Sequence, residues 1–201
     1  LMGSKDALKP QGVDAEGIVL HGLPFLEKRG FGPQLEEYLG KPASLATLNE
    51  ISRTIIGFYR EQGRPIVDAV VPQQAVEHGT VQILVIEGQL GELEVQGNQH
   101  FKGELFEDTF RTTPGDPMTN ERIVRDLRWM NRNPFRRVDL AYSRGEALGE
   151  TDVALQVRDQ RPWRVYGGFE NNGNTTNGDE RWFGGLNWGN VFGRDHQLSY
   201  Q

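Results

Sequence analysis

Apolar and polar residues alternate along about the last forty residues of the chain. A period of two along 163–170, 181–190 and 197–201 predicts three strands, each with one face toward an apolar environment. Turns are expected at Asn171–Asp179, which is rich in Asn, Gly and Thr, and at Phe192–Asp195. The residues on the apolar faces are Trp163, Val165, Phe169, Trp182, Leu186 and Trp188.

These strands carry aromatic residues on one face and Gly, Asn and Gln on the other. Aromatic side chains suit the interface between lipid and water, and this two-sided pattern is typical of the strands of outer-membrane barrels. We therefore expect Trp163, Trp182, Leu186 and Trp188 to lie at the membrane interface or to face lipid. The alternative is a soluble sheet packed on a core. For Trp163, packing between a domain and the barrel is also consistent with the pattern.

The chain before these strands contains two copies of one small unit. The first copy predicts a strand at 17–22, a short helix at 31–39, a helix from Leu45 to Gly63 with Ser44 as its N-cap, and strands at 65–71 and 80–87. The last of these strands is apolar on both faces, so it is expected at the centre of its sheet.

The second copy follows the first at a nearly constant spacing. Gly97 lies 75 residues after Gly22, and after the second helix the spacing falls to 71, which aligns Val138 with Val67. A helix is predicted over 119–131 and a strand over 151–158. Each copy therefore reads strand, helix, helix, strand, strand. This order indicates an α+β fold with amphipathic helices layered on a small sheet.

Composition excludes several classes of protein. The chain has 201 residues, of which 36% are hydrophobic and 25% charged, and it contains no run of eighteen apolar residues that would predict a transmembrane helix. A net charge of -6 disfavours a nucleic-acid partner, and the absence of cysteine excludes disulfides. Residues 1–15 are polar and lack periodicity, which predicts a linker, with Leu1–Ser4 as a vector-derived remnant.

No pattern of catalytic or metal-binding residues is present in the sequence. There is no Gly-x-Ser-x-Gly, no His-Glu-x-x-His and no phosphate-binding loop, and His21, His78, His100 and His196 are scattered. The Asn171–Asp179 stretch lacks the repeated acidic residues of a calcium loop, so a turn is favoured there. We expect no enzyme activity, no cofactor and no metal.

Two tandem β-α-α-β-β units followed at once by barrel strands resemble the POTRA domains and barrel of the two-partner secretion transporters. The segments that carry the resemblance are Gly91–Asn98, Leu127–Val138, Arg161–Tyr166, Glu170–Gly173 and Gly178–Arg181.

The resemblance implies POTRA domains at 16–88 and 89–160 in the periplasm, and the start of an outer-membrane barrel of about sixteen strands at 161–201. It also implies a secreted exoprotein as partner, recognised through its N-terminal secretion domain, and contact with outer-membrane lipid. The family's plug helix is not recognisable before Lys5, and the loop that folds into the pore is absent. The three barrel strands are expected to be disordered, paired with another copy or part of a larger molecule. The oligomeric state is left open.

The candidate client-binding residues lie in the second strand of each unit, because an edge strand can pair with an extended chain through its main chain. They are Ile66, Val67, Asp68, Ala69, Val70, Val71, Val138, Asp139, Leu140, Ala141 and Tyr142. A basic turn with Arg132, Arg136 and Arg137 is a second candidate, either for acidic client groups or for the periplasmic rim of the barrel. The structural alternatives are idle edges and a solvated helix C-terminus.

Three alternative functions remain at this point. A barrel-assembly factor or a patatin-type autotransporter would carry related domains, in a different number or with a fused enzyme. A soluble scaffold would use the same units to bind partners, with an ordinary sheet in place of the barrel strands.

Overall fold

The structure, a computed structural model, describes residues 1–3, 15–76, 79–171 and 180–201. The elements in chain order are α1 (Pro24–Arg29), a 3-10 helix (Gly32–Tyr38), α2 (Leu45–Glu61), β1 (Val67–Val70), β2 (Leu84–Glu87), β3 (Gln89–Gln96), α3 (Gly103–Thr109), α4 (Asn120–Met130), β4 (Arg136–Arg144), β5 (Glu150–Asp159), β6 (Trp163–Glu170), β7 (Arg181–Val191) and β8 (His196–Tyr200). His78 and all but the first residue of the expected Asn171–Asp179 turn lie outside the described residues.

The chain forms two compact units. The first unit contains Leu1–Gly91 with Pro114–Glu121 and Arg144–Thr151, and the second contains Glu92–Thr113, Arg122–Ser143 and Asp152–Gln201. Strands β6 to β8 therefore belong to the same unit as the second α+β repeat.

Helix α2 supplies the main apolar face of the first unit. Its stripe at spacings of three and four buries Ile55, Phe58 and Tyr59, and each such side chain stabilises the fold by about 1.5–3 kcal/mol. The predicted N-cap is confirmed, because the Thr47 amide donates to Ser44 Oγ at 3.2 Å. The helix thus begins where the sequence predicts.

The segment before α2 differs from the single helix predicted over 31–39. Helix α1 begins at Pro24 and ends at Gly30, which adopts a left-handed conformation with φ of 64° and closes the helix through bonds to Leu26 and Glu27. A 3-10 helix follows at Gly32–Tyr38. The 3-10 helix thus lies within the predicted 31–39, and α1 is an additional helix that the sequence analysis did not predict.

Strands β1 and β2 form an antiparallel pair with Val67 opposite Glu87 and Val70 opposite Leu84. The predicted strand over 80–87 is regular only from Leu84, and the predicted strand at 17–22 contributes an isolated parallel bridge from His21 to Met2. Residues 1–3, expected in a linker, are hydrogen-bonded to both of these segments.

The sheet made by the second repeat has the order β3-β5-β4. The predicted alternation of β5 is confirmed, because Val153, Leu155 and Val157 are all buried. Helix α3 adds Phe106 and helix α4 adds Met130 to this core. Strand β5, the last strand of this repeat, is the middle strand of the sheet.

Strands β6, β7 and β8 form an antiparallel sheet in that order. The register confirms the predicted faces, since Trp163 lies opposite Trp188, Val165 opposite Leu186, and Phe169 opposite Trp182. Leu198 and Tyr200 of β8 continue the same face opposite Trp188 and Leu186. One side of this sheet is therefore apolar across all three strands.

Across the described ranges, no helix combines the length and the apolar composition needed to cross a membrane.

Candidate functional site

The edge strand β1 exposes alternate main-chain groups on the side away from β2. The Ile66 carbonyl accepts from Gly88 at 2.9 Å, which directs Ile66 toward β2. The Ala69 amide instead donates to Asp68 Oδ1 at 2.8 Å. Because main-chain groups of successive strand residues point to opposite sides, Val67, Ala69 and Val71 direct theirs outward. Among the described strands, β1 pairs only with β2.

The edge strand β4 has the same arrangement with a different local partner. Asn131 holds the main chain of Val138 at both ends, since its Oδ1 accepts from the Val138 amide at 2.8 Å and its Nδ2 donates to the Val138 carbonyl at 2.9 Å. These groups of Val138 therefore point away from β5. By the same alternation, Leu140 and Tyr142 direct their main-chain groups outward, and Asp139 and Ala141 direct theirs toward β5.

The outward positions of the two edges correspond within the repeat. Val67, Ala69 and Val71 lie 71 residues before Val138, Leu140 and Tyr142, the same spacing that aligns the two strands in the sequence. Both repeats therefore offer the same set of main-chain donors and acceptors. In each repeat a nearby polar side chain already satisfies part of that set.

The three arginines of the predicted basic turn lie in different environments. Arg132 is exposed and its guanidinium stacks 4.5 Å from the Trp129 ring. Arg137 is also exposed, with Nε 3.6 Å from Asp139 Oδ1. Arg136 is buried, with only 1% of its side chain exposed. A solvent-facing arginine surface thus contains Arg132 and Arg137 but not Arg136.

Arg136 binds the turn between β7 and β8. Its Nη1 and Nη2 donate to the two carboxylate oxygens of Asp195 at 2.7 and 2.8 Å, and its Nε donates to the Met130 carbonyl at 2.8 Å. The rings of Phe101 and Phe106 lie 4.9 and 5.2 Å from the guanidinium. A buried bidentate pair of this kind holds one geometry.

Asn133 completes a junction cluster, defined as Asn133, Arg136, Gly189 and Asp195. Its Nδ2 donates to the Gly189 carbonyl and to Asp195 Oδ1, the latter at 2.7 Å. A Cβ on Gly189 would lie 2.3 Å from the Phe135 ring, so only glycine allows this approach. The junction cluster fastens the second α+β repeat to β7 and β8 within one compact unit.

The apolar face of the β6–β8 sheet is open to its surroundings. Trp163 is 52% exposed, Val165 67%, Trp182 79% and Tyr200 74%, so these side chains are not covered by a protein core. Leu186 and Trp188 are half-buried.

Among the described residues, three titratable side chains have shifted pKa values. Burial, followed by the hydrogen bond to Glu87, raises the pKa of Tyr59, and burial also raises that of Tyr142. Asp159 is shifted the other way. Its desolvation alone would raise the pKa, but hydrogen bonds from His100, Phe101 and Gln99 together lower it. Within the described residues, no three His, Asp or Glu side chains converge into a cluster that could hold a metal ion.

Two family profiles match the sequence. The ShlB-type POTRA domain matches residues 13–88, and the haemolysin secretion/activation protein family ShlB/FhaC/HecB matches residues 149–201. Among curated proteins, the heme/hemopexin transporter protein HuxB of Haemophilus influenzae is 28% identical over 169 residues, which cover 82% of this chain and 29% of HuxB. The outer membrane transporter CdiB of Dickeya dadantii is 22% identical over 156 residues, which cover 78% of this chain and 27% of CdiB.

The fold is similar to solved structures of related domains. CdiB from Escherichia coli superposes with a TM-score of 0.73 at 19% identity, covering 88% of this chain and 33% of CdiB. The N-terminal domain of Omp85 from Thermosynechococcus elongatus gives 0.54 at 18% identity, covering 66% of this chain and 60% of that domain. The chain spans less than a third of the length of the curated relatives described above.

Proposed function

Because the chain belongs to the outer-membrane transporters of two-partner secretion, we propose that it is the periplasmic receiving part of such a transporter. The family lies in the bacterial outer membrane and holds its POTRA domains in the periplasm. In this proposal the two α+β repeats bind an unfolded exoprotein, such as an adhesin, a haemolysin or a toxin, through its N-terminal secretion domain. They then pass it to the barrel that begins near Trp163. No catalysis and no cofactor are involved.

The observation that carries the proposal is the outward main chain of β4 at Leu140 and Tyr142. Different unfolded clients share no common side-chain sequence, but every extended segment has the same main-chain donors and acceptors. An edge strand can therefore receive many sequences in turn. The edge of β1 is proposed to act in the same way through the outward main chain of Val67, the Ala69 carbonyl and the main chain of Val71, which follows β1.

The junction cluster supports delivery to the barrel strands. A client bound along β4 lies on the same compact unit as β6 to β8. Arg136 and Asn133 fix the turn at Asp195 through buried polar contacts. We propose that this fixed attachment holds the receiving edge in a constant place relative to the first barrel strands. Arg132 and Arg137 remain available for acidic client groups.

The open apolar face of β6–β8 is proposed to contact outer-membrane lipid. Strands of eight and eleven residues approach the nine to eleven that a tilted strand needs to span the hydrocarbon core. Trp163, Trp182 and Trp188 suit the interfacial region, and Leu186 suits the hydrocarbon.

A proline substitution tests main-chain pairing at β4. Leu140→Pro removes an outward amide while leaving the amides of Asp139 and Ala141 for β5, an arrangement that edge strands tolerate. We expect binding of the purified N-terminal secretion domain of the exoprotein to fall at least ~10-fold, the equivalent of about 1.4 kcal/mol. Binding is measured by biolayer interferometry on the full-length transporter in detergent.

Leu140→Ala is the matched control, because it shortens the same side chain and keeps the amide. It should bind the secretion domain within about threefold of the parent, a difference of less than 1 kcal/mol. If folded Leu140→Pro transporter binds as tightly as the parent, β4 is not the receiving edge. If both variants lose binding equally, the Leu140 side chain and not the main chain makes the contact.

A soluble scaffold is the second candidate function. The exposed apolar face of β6–β8 disfavours it, since water would contact four or more aromatic side chains along one sheet.

A further inference from the structure

The first three residues of the chain lie between two segments of the first unit. On one side, the Met2 amide donates to the Ile83 carbonyl at 2.9 Å and the Val85 amide donates to the Met2 carbonyl at 2.8 Å. On the other side, the Gly3 amide donates to the His21 carbonyl and the His21 amide to the Leu1 carbonyl, both at 2.9 Å. Met2 therefore forms parallel bridges with both neighbours.

The second unit shows what the same repeat looks like without an inserted segment. There the first strand of the repeat, β3, is directly hydrogen-bonded to the last strand, β5. The approach is close enough that a Cβ on Gly97 would lie 2.5 Å from the Val157 carbonyl oxygen. Gly22 is the equivalent of Gly97, but in the first unit the corresponding segments are separated by the width of one strand.

The inserted segment also shows which side chains the space admits. Leu1 packs against the buried core of the first unit. A Cβ on Gly3 would lie 2.2 Å from the Gly22 carbonyl oxygen, so a larger residue cannot take this position without displacement. The side-chain requirement is therefore an apolar residue at the first position and glycine at the third. The main chain supplies the remaining contacts.

We propose that the space between residues 19–21 and β2 is a peptide-binding slot. It takes one extended polypeptide segment, parallel to β2, with an apolar residue two positions before a glycine. Residues 1–3 fill the slot here, and an extended segment of a separate polypeptide with the same pattern is the partner that competes for it. The slot borders β2 on the side opposite β1. It is thus a different site from the β1 and β4 edges, and its binding does not depend on export.

The test uses a variant in which residues 1–3 no longer fit. Gly3→Val places side-chain atoms against the Gly22 carbonyl and leaves the residues that line the slot unchanged. The probe is a fluorescein-labelled, N-acetylated peptide that begins Leu-Met-Gly, and binding is measured by fluorescence anisotropy on the full 201-residue chain in detergent. We expect the variant to bind the probe at least tenfold more tightly than the parent, in which residues 1–3 compete.

Two altered probes provide the matched controls. A peptide with valine in place of its glycine, and one with the amide of its second residue methylated, should each bind at least tenfold more weakly. Circular dichroism and thermal unfolding of the Gly3→Val chain are recorded in parallel. Equal binding of all probes, or no binding to a folded variant, overturns the proposal. Loss of cooperative unfolding in the variant also overturns it, because residues 1–3 would then be an integral strand.

Discussion

Asp159 closes the turn that follows β3. Its carboxylate accepts amide hydrogen bonds from Gln99, His100 and Phe101 at 2.9 to 3.1 Å, and the His100 ring nitrogen lies 3.2 Å away. The side chain is fully buried. One carboxylate therefore connects the end of β5 to the chain that leads into α3.

Replacing this carboxylate should cost stability in a pH-dependent way. Asp159→Asn should lower the free energy of unfolding by about 2–3 kcal/mol at pH 7, because the amide presents a donor to donors. The folded state lowers the pKa of Asp159 below its ordinary value of 3.8. The stabilisation is therefore complete above about pH 5 and is lost as the pH falls through and below about 4. Urea unfolding of parent and variant from pH 3 to 7 measures the difference.

Asp139→Asn is the control for this prediction. Asp139 is 40% exposed and, within the described part of the chain, pairs with the exposed Arg137 and Arg158, so its loss should change the free energy of unfolding by less than about 0.5 kcal/mol. A difference between the parent and Asp159→Asn that stays constant down to pH 3 would contradict the assigned role of the carboxylate.

Single-residue roles were the least predictable part of the molecule. The sequence places Arg136 in an exposed basic turn, yet it is buried against Asp195, which lies 59 positions later. Asn131 likewise has no local signal for its bonds to Val138. Such contacts depend on which distant segments the tertiary fold brings together. The periodicities of helices and strands, three to four residues and two residues, carry no information about that.

At the scale of elements, local periodicity was sufficient for β5 to β8. Each alternates over enough residues for its faces to be defined before any pairing is known. The segment at 17–22 failed the same test, because its pairing depends on residues 1–3. The prediction over 31–39 located the segment that forms the 3-10 helix, but the sequence analysis missed α1, which ends before a glycine with positive φ.

Lipid contact of the β6–β8 face can be measured through its tryptophans. A full-length transporter that retains Trp182 alone, with its other tryptophans replaced by Phe, is reconstituted in vesicles of lipid brominated on the acyl chains. Emission of Trp182 should be quenched by half or more, because bromine quenches only at close range and Trp182 is 79% exposed on the apolar face.

A transporter that retains Trp129 alone is the matched control. Trp129 lies on α4 and is 52% exposed, but it belongs to the α+β repeat and stacks with Arg132. Its emission should not change in brominated lipid. Quenching of both residues to the same extent, or of neither, would contradict a lipid-facing role for this sheet.

At the scale of the whole molecule, the order of the repeats and barrel strands could be predicted from the sequence. It follows from the spacing between the two copies and from the change to period-two alternation after them. The attachment between the second repeat and the barrel strands was not, since the junction cluster joins residues from three separate segments. The order of helices and strands would be the same whether the second repeat is attached to the barrel strands rigidly or flexibly.

Breaking the junction cluster tests whether that attachment matters for transport. Arg136→Met leaves Asp195 without its cation and should destabilise the second unit by about 3 kcal/mol. In cells, we expect export of the exoprotein to fall severalfold while the transporter still assembles in the outer membrane. Secreted exoprotein is measured by immunoblot, and assembly by heat-modifiable mobility of the barrel.

Arg158→Met removes an arginine of the same unit that is 77% exposed and has no proposed role in client binding, so it should leave both stability and export near the parent values. Normal export by a correctly assembled Arg136→Met transporter would show that the junction cluster serves stability alone.

The side chain of Asn131 has a consequence for any strand that joins β4. Because the amide already holds Val138, an added strand finds its first free anchor at Leu140 and its next at Tyr142. The register of the added strand is thereby set, so that the side chains of its alternate residues lie on opposite faces of the sheet from the first hydrogen bond onward. The side chain of Asn131 therefore determines the residue at which pairing with β4 begins.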